Sequence, residues 1–340
     1  ESCDDYDRKS EELPYHLEQL LDHNRLTRCL LDWEIFQRLY SEDFSIDLLS
    51  SWQKAGGYAA ASLLYKESLN VLKTAEVPLE EYAKKMEMVI NFLIQAGQYE
   101  ESFNLLQELL KIEEKDLGAR TNKMADIYHL MTKTKSEIVK NHNFVTLDQL
   151  EEDKETVAFA RKSLSYREKL DGEDNEHKKA LIGILIAHHL GIVADLERDK
   201  GAEHRKDCFK IIDESIAIFQ NQGDYGHLAE AIMTKSFINP RHSKYFREKE
   251  QMLRQAFDLC TKAYGTKHML VLRLYLNIGI LYEDNRDFQK AYDYFVKWNK
   301  VCMEVLGPAH PKTKRSQDTL EEPMYKRIKE QRERQAAGTA

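Results

Sequence analysis

The chain has 340 residues, enough for two or three ordinary domains or for one array of repeats, and at 42% hydrophobic and 32% charged it is globular rather than disordered in composition. Its formal charge of −8 resides in residues 1–50, with 13 acidic against 5 basic side chains, and the balanced remainder lacks the basic excess of a nucleic-acid binder. Only 14 Gly and 6 Pro disfavour a turn-rich β fold, and no run approaches the roughly 18 consecutive apolar residues of a spanning helix, so the reading is a soluble all-α protein without membrane insertion.

The opening ESCDDYDRKSEELP has no basic n-region, apolar core or initiator Met, and the chain is expected to be a piece of something longer. Residues 11–72 carry short helical stripes: Leu17, Leu20 and Leu21, then Phe36, Leu39 and Tyr40, then Leu48, Leu49 and Trp52. Breaks fall at His23-Asn24, near Ser41 and at Gly56-Gly57. Residues 1–72 are read as a helical capping module that covers the open apolar end of a repeat array over 73–322. Within 83–110, Met86, Val89, Ile90 and Leu93 form one stripe, Gly97 and Tyr99 mark a turn, and Ser102, Phe103, Leu106, Leu109 and Leu110 form the next. Region 120–170 reads as a pair with an insertion at FVTLDQLEED (144–153). Residues 180–219 form a third pair, with Leu190-Gly191 on the first helix and a turn at Asp199-Lys200-Gly201. A fourth spans 228–263, broken at Asn239-Pro240. Residues 323–340 read as a basic helix that frays into a tail.

Near the C-terminus a period appears. CTKAYGTKHMLV (260–271) is echoed by CMEVLGPAHPKT (302–313), so Cys260/Cys302, Gly265/Gly307 and His268/His310 are each 42 residues apart, and Gly223 precedes Gly265 by the same step. In the fifth pair, Tyr275, Ile278, Gly279 and Tyr282, followed by Ala291 and Phe295, match the tetratricopeptide pattern W-x₂-L-G-x₂-Y…A-x₃-F, without its closing Pro. Small residues at 279 and 291 let two antiparallel helices cross closely. The fold expected is a right-handed superhelical solenoid of about five tetratricopeptide-like pairs.

The 42-residue spacing with the link Leu306-Gly307-Pro308-Ala309-His310-Pro311 resembles the kinesin-light-chain type of tetratricopeptide repeat. The stretch ELPYHLEQLLDHNRLTRCLLDWEIFQRLYSEDFSIDLLSSWQ (12–53) resembles the segment that joins the nucleotide-binding core of nephrocystin-type signalling NTPases to their repeats. These resemblances imply a multidomain scaffold and, for the nephrocystin type, a ciliary setting, while the odd cysteine count with no close pair makes a reducing, cytoplasmic compartment the expectation.

The chemistry of an enzyme is not expected. G-x-x-x-x-G-K-[ST], G-x-S-x-G and H-E-x-x-H are all missing, and five cysteines at 3, 29, 208, 260 and 302 have no partner at disulfide or ligand spacing. His188-His189 point about 100° apart on a helix and cannot share an ion, so neither metal nor cofactor is expected. His268 and His310 read as members of a shared inter-repeat turn, and Cys260 and Cys302 as inert buried thiols.

A surface remains. Stacked pairs line a concave groove with their first helices, and such grooves take peptides or helices of partner proteins. Arg273, Asn277, Ile280 and Glu283 lie opposite the packed Tyr275, Ile278 and Tyr282 stripe. The shared Leu-Gly transfers Asn277 to His189, and the 42-residue step transfers it to Lys235. The partner-binding set is therefore Arg273, Asn277, Glu283, His189 and Lys235. An alternative is an effector-sensing regulatory arm that controls a nucleotide switch encoded upstream.

Overall fold

A computed structural model describes residues 12–42, 44–140, 147–197, 200–239 and 243–338. Every regular element among them is helical: α1 (12–19), α2 (His23–Leu30), α3 (Trp33–Leu39), α4 (Ile46–Ala55), α5 (Tyr58–Thr74), α6 (Leu79–Gln95), α7 (Tyr99–Lys115), α8 (Thr121–Lys140) and α9 (Leu147–Arg167). They continue as α10 (Glu173–Leu196), α11 (Gly201–Gln222), α12 (Tyr225–Ile238), a 3₁₀ turn at Ser243–Tyr245, α13 (Phe246–Tyr264), α14 (Met269–Asp284), α15 (Phe288–Val305), α16 (Pro311–Leu320) and α17 (Pro323–Gly338). The five pairs expected from periodicity are α6/α7, α8/α9, α10/α11, α12/α13 and α14/α15. The chain divides into two compact units, residues 1–120 with 305–312, and residues 121–304 with 313–340.

In the first unit the core is aromatic. Trp52, Tyr65, Phe36 and Phe92, from α4, α5, α3 and α6, are wholly buried, with ring centroids 5.0–6.1 Å apart for Phe36–Tyr65, Trp52–Tyr65, Tyr65–Phe92 and Phe36–Phe92. The polar tips are satisfied in series: Trp52 Nε1 donates to Tyr65 Oη (3.1 Å), which donates to the Leu30 carbonyl (2.9 Å). The module boundary expected at 72/73 lies inside this unit. On α6, Gln95 takes the Ser45 N–H (2.6 Å) and donates to the Ser41 carbonyl (2.8 Å), so it closes the α3–α4 loop where Ser45 offers no side-chain cap. Segment 305–312 packs here too: Tyr58 Oη donates to the Leu306 carbonyl (2.8 Å), and buried His310 sets Nε2 3.2 Å from the Gln95 carbonyl. Leu20 and Leu21, expected in the first stripe, are instead exposed in the α1–α2 turn, and His23-Asn24 open α2 rather than break it.

The second unit is a stack of helix pairs. Each helix from α8 to α13 packs on the next, and α10 also touches α8 and α12, so first helices lie beside first helices. Gly223 and Gly265 end α11 and α13, and Gly307 follows α15, all at positive φ (69°, 74° and 75°), which lets the chain turn back into the next pair. Histidines then start the following helices: His268 Nδ1 accepts the Leu270 N–H (3.3 Å) and His310 Nδ1 the Lys312 N–H (3.1 Å), the shared inter-repeat turn that the 42-residue echo predicts. Residues 147–153 belong to α9, so the insertion expected at 144–153 shrinks, and 144–146 lie outside the described residues.

α10 is long and apolar enough to cross a membrane by length and composition, although no unbroken apolar run reveals it in the sequence. It packs against α8, α9, α11 and α12, and such a helix must be apolar on most faces. Ile182 and Ile186 form a core with Ala160 of α9, flanked by Leu164 and Ile211. The basic segment expected as a helix is α17, and residues 339–340 of its expected tail lie outside the described residues. Its Tyr325 is buried edge-on against Phe295 (5.3 Å), and its Arg332 pairs with Asp293 at 2.5 Å.

Candidate interaction surface

The close crossing expected at Gly279 is present. A Cβ there would overlap the Phe295 ring, and Ala291, Phe295 and Tyr282 are buried around it. Two further glycines do the same work: a Cβ on Gly183 would meet Ser215 Oγ at 2.5 Å, and one on Gly226 would overlap Tyr264. In α10 the crossing therefore sits at Gly183, and Gly191, the expected equivalent of Gly279, has open space.

This arrangement holds Arg273 and Asn277 one turn apart on α14, both half-buried. Arg273 Nη1 donates to the Glu230 carboxylate of α12, and its side chain stays 29% exposed. Burial opposes its charge, but Glu230 and the more distant Glu137 of α8 outweigh that and raise its pKa. Arg315 of α16 is depressed by burial, partly offset by the same Glu137. His129, on α8, is driven to about 3 by burial together with Lys133, Arg167 and Lys178, so it is neutral at physiological pH. Its Nδ1 is buried without a hydrogen-bond partner among the described residues. Charges of both signs from α8, α12, α14 and α16 thus act on one another inside the second unit.

The other three expected residues have partners of their own. Lys235 pairs with Asp213 of α11 at 2.7 Å. The physical reason is turn length: α12 starts two residues after Gly223, whereas α14 starts four after Gly265, so counting from glycines turns the register by about 200°. Glu283 accepts a 2.6 Å hydrogen bond from Tyr325 Oη, which ties α14 to α17. His189 is a correction: it is wholly buried, with Nδ1 2.6 Å from Asp153 Oδ1 of α9 and Nε2 2.7 Å from Ser136 Oγ of α8.

Ser136, His189 and Asp153 have the spacing of a nucleophile, base and orienting acid. Ser136 and Asp153 are, however, 1% and 0% exposed, and Ser136 lies within α8, whose backbone N–H groups are committed to the helix rather than to an oxyanion. The trio acts as a polar strut joining α8, α9 and α10. Burial also pushes the Cys208 and Cys260 thiols up to about 12, which leaves them without thiolate character at neutral pH.

The sequence reading missed Glu230, Glu137, Arg315 and His129. Only Glu230 left a signal, since it precedes Arg273 by 43 residues, nearly the glycine period.

The helix pairs, their repeated glycine turns and the stacking of first helices decide the architecture. The chain is an all-α repeat solenoid. No family model matches it and no curated protein matches it, so the resemblance of residues 12–53 to nephrocystin-type NTPases gains no support. Among solved structures it is similar to a protein of nearly identical TPR-like repeats assigned as a kinesin light chain from Podosopora anserina, with TM-score 0.37 and 14% identity over 67% of this chain and 98% of that one. A variant of the same protein gives TM-score 0.36 at the same identity and coverage. The helix-pair architecture rests on the contacts described above rather than on these distant likenesses.

Proposed function

We propose that the chain is a non-enzymatic, tetratricopeptide-like interaction scaffold whose second unit receives a peptide or helix of a partner protein on the face that carries Arg273 and Asn277. The observation that carries this reading is the half-buried row on α14: a guanidinium with one carboxylate partner and spare donors, beside an amide that can both give and accept hydrogen bonds. An extended peptide must satisfy its own backbone groups when it leaves water, and such side chains do that. Glu230, Glu137 and Arg315 add charges of both signs, which favours a zwitterionic partner over a polyanion. The core of the interface is Arg273, Asn277 and Glu230. Lys235 and Glu283 are rim contacts only, and His189 is left out.

A photo-crosslinking side chain at position 277 tests the assignment. It is expected to capture a partner protein from a cell extract that the same group at position 262, on α13, does not capture. Equal capture from both positions would move the interaction off this face.

A further inference from the structure

Three potential metal ligands meet where α11 turns into α12. Asp224 is the N-cap of α12: its Oδ1 accepts the His227 N–H (3.0 Å), and its Oδ2 lies 2.6 Å from His227 Nδ1. His177, from the first turns of α10, sets Nε2 3.8 Å from the same Oδ2. The two imidazoles stand edge to face with centroids 5.1 Å apart, and the donor atoms of all three residues lie within 4.8 Å of one another. Phe219, wholly buried, contacts both rings and forms an apolar wall behind them.

The outer contacts orient the donors. His177 Nδ1 is 2.9 Å from Gln222 Oε1, and since that oxygen can only accept, Nδ1 carries the proton and Nε2 presents its lone pair towards Asp224. Gln222 and Asp224 flank Gly223, whose left-handed conformation turns both side chains to one side of the chain reversal.

We propose that His177 Nε2, Asp224 Oδ2 and His227 Nδ1 bind a divalent first-row transition ion, Zn²⁺ above all, as three protein ligands with a fourth position open. Two neutral imidazoles and one carboxylate suit Zn²⁺ rather than Ca²⁺ or Mg²⁺, which prefer all-oxygen sets. Tetrahedral bonds of about 2.0–2.1 Å place donors about 3.3 Å apart. The 2.6 Å contact must open and the 3.8 Å contact must close, each by less than about 1 Å, and the two imidazole donors, which lie within 4.8 Å, must approach by no more than about 1.5 Å, within reach of side-chain rotation. Binding replaces the His227–Asp224 hydrogen bond with two metal bonds, and the His227 ring proton moves to Nε2 or to solvent. The ion ties α10 to α12, hence one helix pair to the next, and its fourth ligand is water or a donor from a bound partner.

Zn²⁺ titrated into the chelator-stripped full chain against a chromophoric competitor is expected to fill one site and raise Tm, and Co²⁺ in its place to give the visible absorption of a four-coordinate ion. His177→Ala and His227→Ala should each weaken binding at least about tenfold, since even outer-shell losses cost that much. Asp224→Asn keeps the cap oxygen but loses the anionic ligand, and should show the same loss even where a histidine variant fails to fold. Absence of saturable binding to the folded chain overturns the proposal. So does one-equivalent binding that is equally tight in Asp224→Asn and in a folded His177→Ala/His227→Ala chain, which would place the ion elsewhere.

Discussion

His129 shows how the repeat stack sets the chemistry of a single side chain. Its pKa falls from 6.5 to about 3, with burial the leading cause and the nearby Lys133, Arg167 and Lys178 adding to it. Between those two values the unfolded chain binds a proton that the folded chain refuses, so stability falls as pH drops through that window and is unaffected by this group above it. Urea unfolding at about pH 7.5 and about pH 5 should show a loss in the parent that His129→Gln reduces. An equal loss in both would mean that the ring is reached by water and protonates normally. Gly279 is the second residue-scale test. Phe295, which a Cβ would overlap, is buried and already packs against Trp298 and Tyr325, so moving it disturbs both contacts. Gly279→Leu should cost about 1–3 kcal/mol in thermal or denaturant unfolding. A variant as stable as the parent would show that α14 and α15 do not cross there.

Among the elements, α10 carries the greatest burden, because it packs against four others and encloses His189. Removing that ring leaves Asp153 buried with one oxygen already lacking a partner, so His189→Ala should destabilise the chain by about 3–5 kcal/mol, measured by denaturant unfolding. A loss below about 1 kcal/mol would contradict the strut. The two glycine-based readings fared differently for a physical reason. Gly223, Gly265 and Gly307 were legible because a left-handed turn leaves a chemical mark at a fixed place, and five helix pairs followed from apolar periodicity. Lys235 leaves the register of Asn277 because the number of residues between turn and helix changes from one repeat to the next, and two residues turn a helix by about 200°. His189 was misplaced because its neighbours come from α8 and α9, 53 and 36 residues away.

For the whole molecule, the sequence shows which residues lie on one helix face but not which faces meet. Arg273 with Asn277 could be read from α14 alone, whereas Glu230, Glu137 and Arg315 act there only because α12, α8 and α16 belong to the same unit. The same holds for His177, whose companions Asp224 and His227 sit at an Asp-x-x-His that carries no weight by itself. The fold is thus legible as a count of pairs, and the surface only as fragments. The central claim is that α14 presents a partner-binding face, and calorimetric titration of the captured partner tests it most directly. Losing hydrogen bonds to a charged group costs about 1.5–3 kcal/mol, so Arg273→Ala with Asn277→Ala should weaken binding at least about tenfold. The Tm should stay close to the parent's, since both side chains are half-buried and the Glu230 carboxylate that pairs with Arg273 is itself partly exposed. Unchanged affinity in a folded double variant would contradict the account and move the partner to another face.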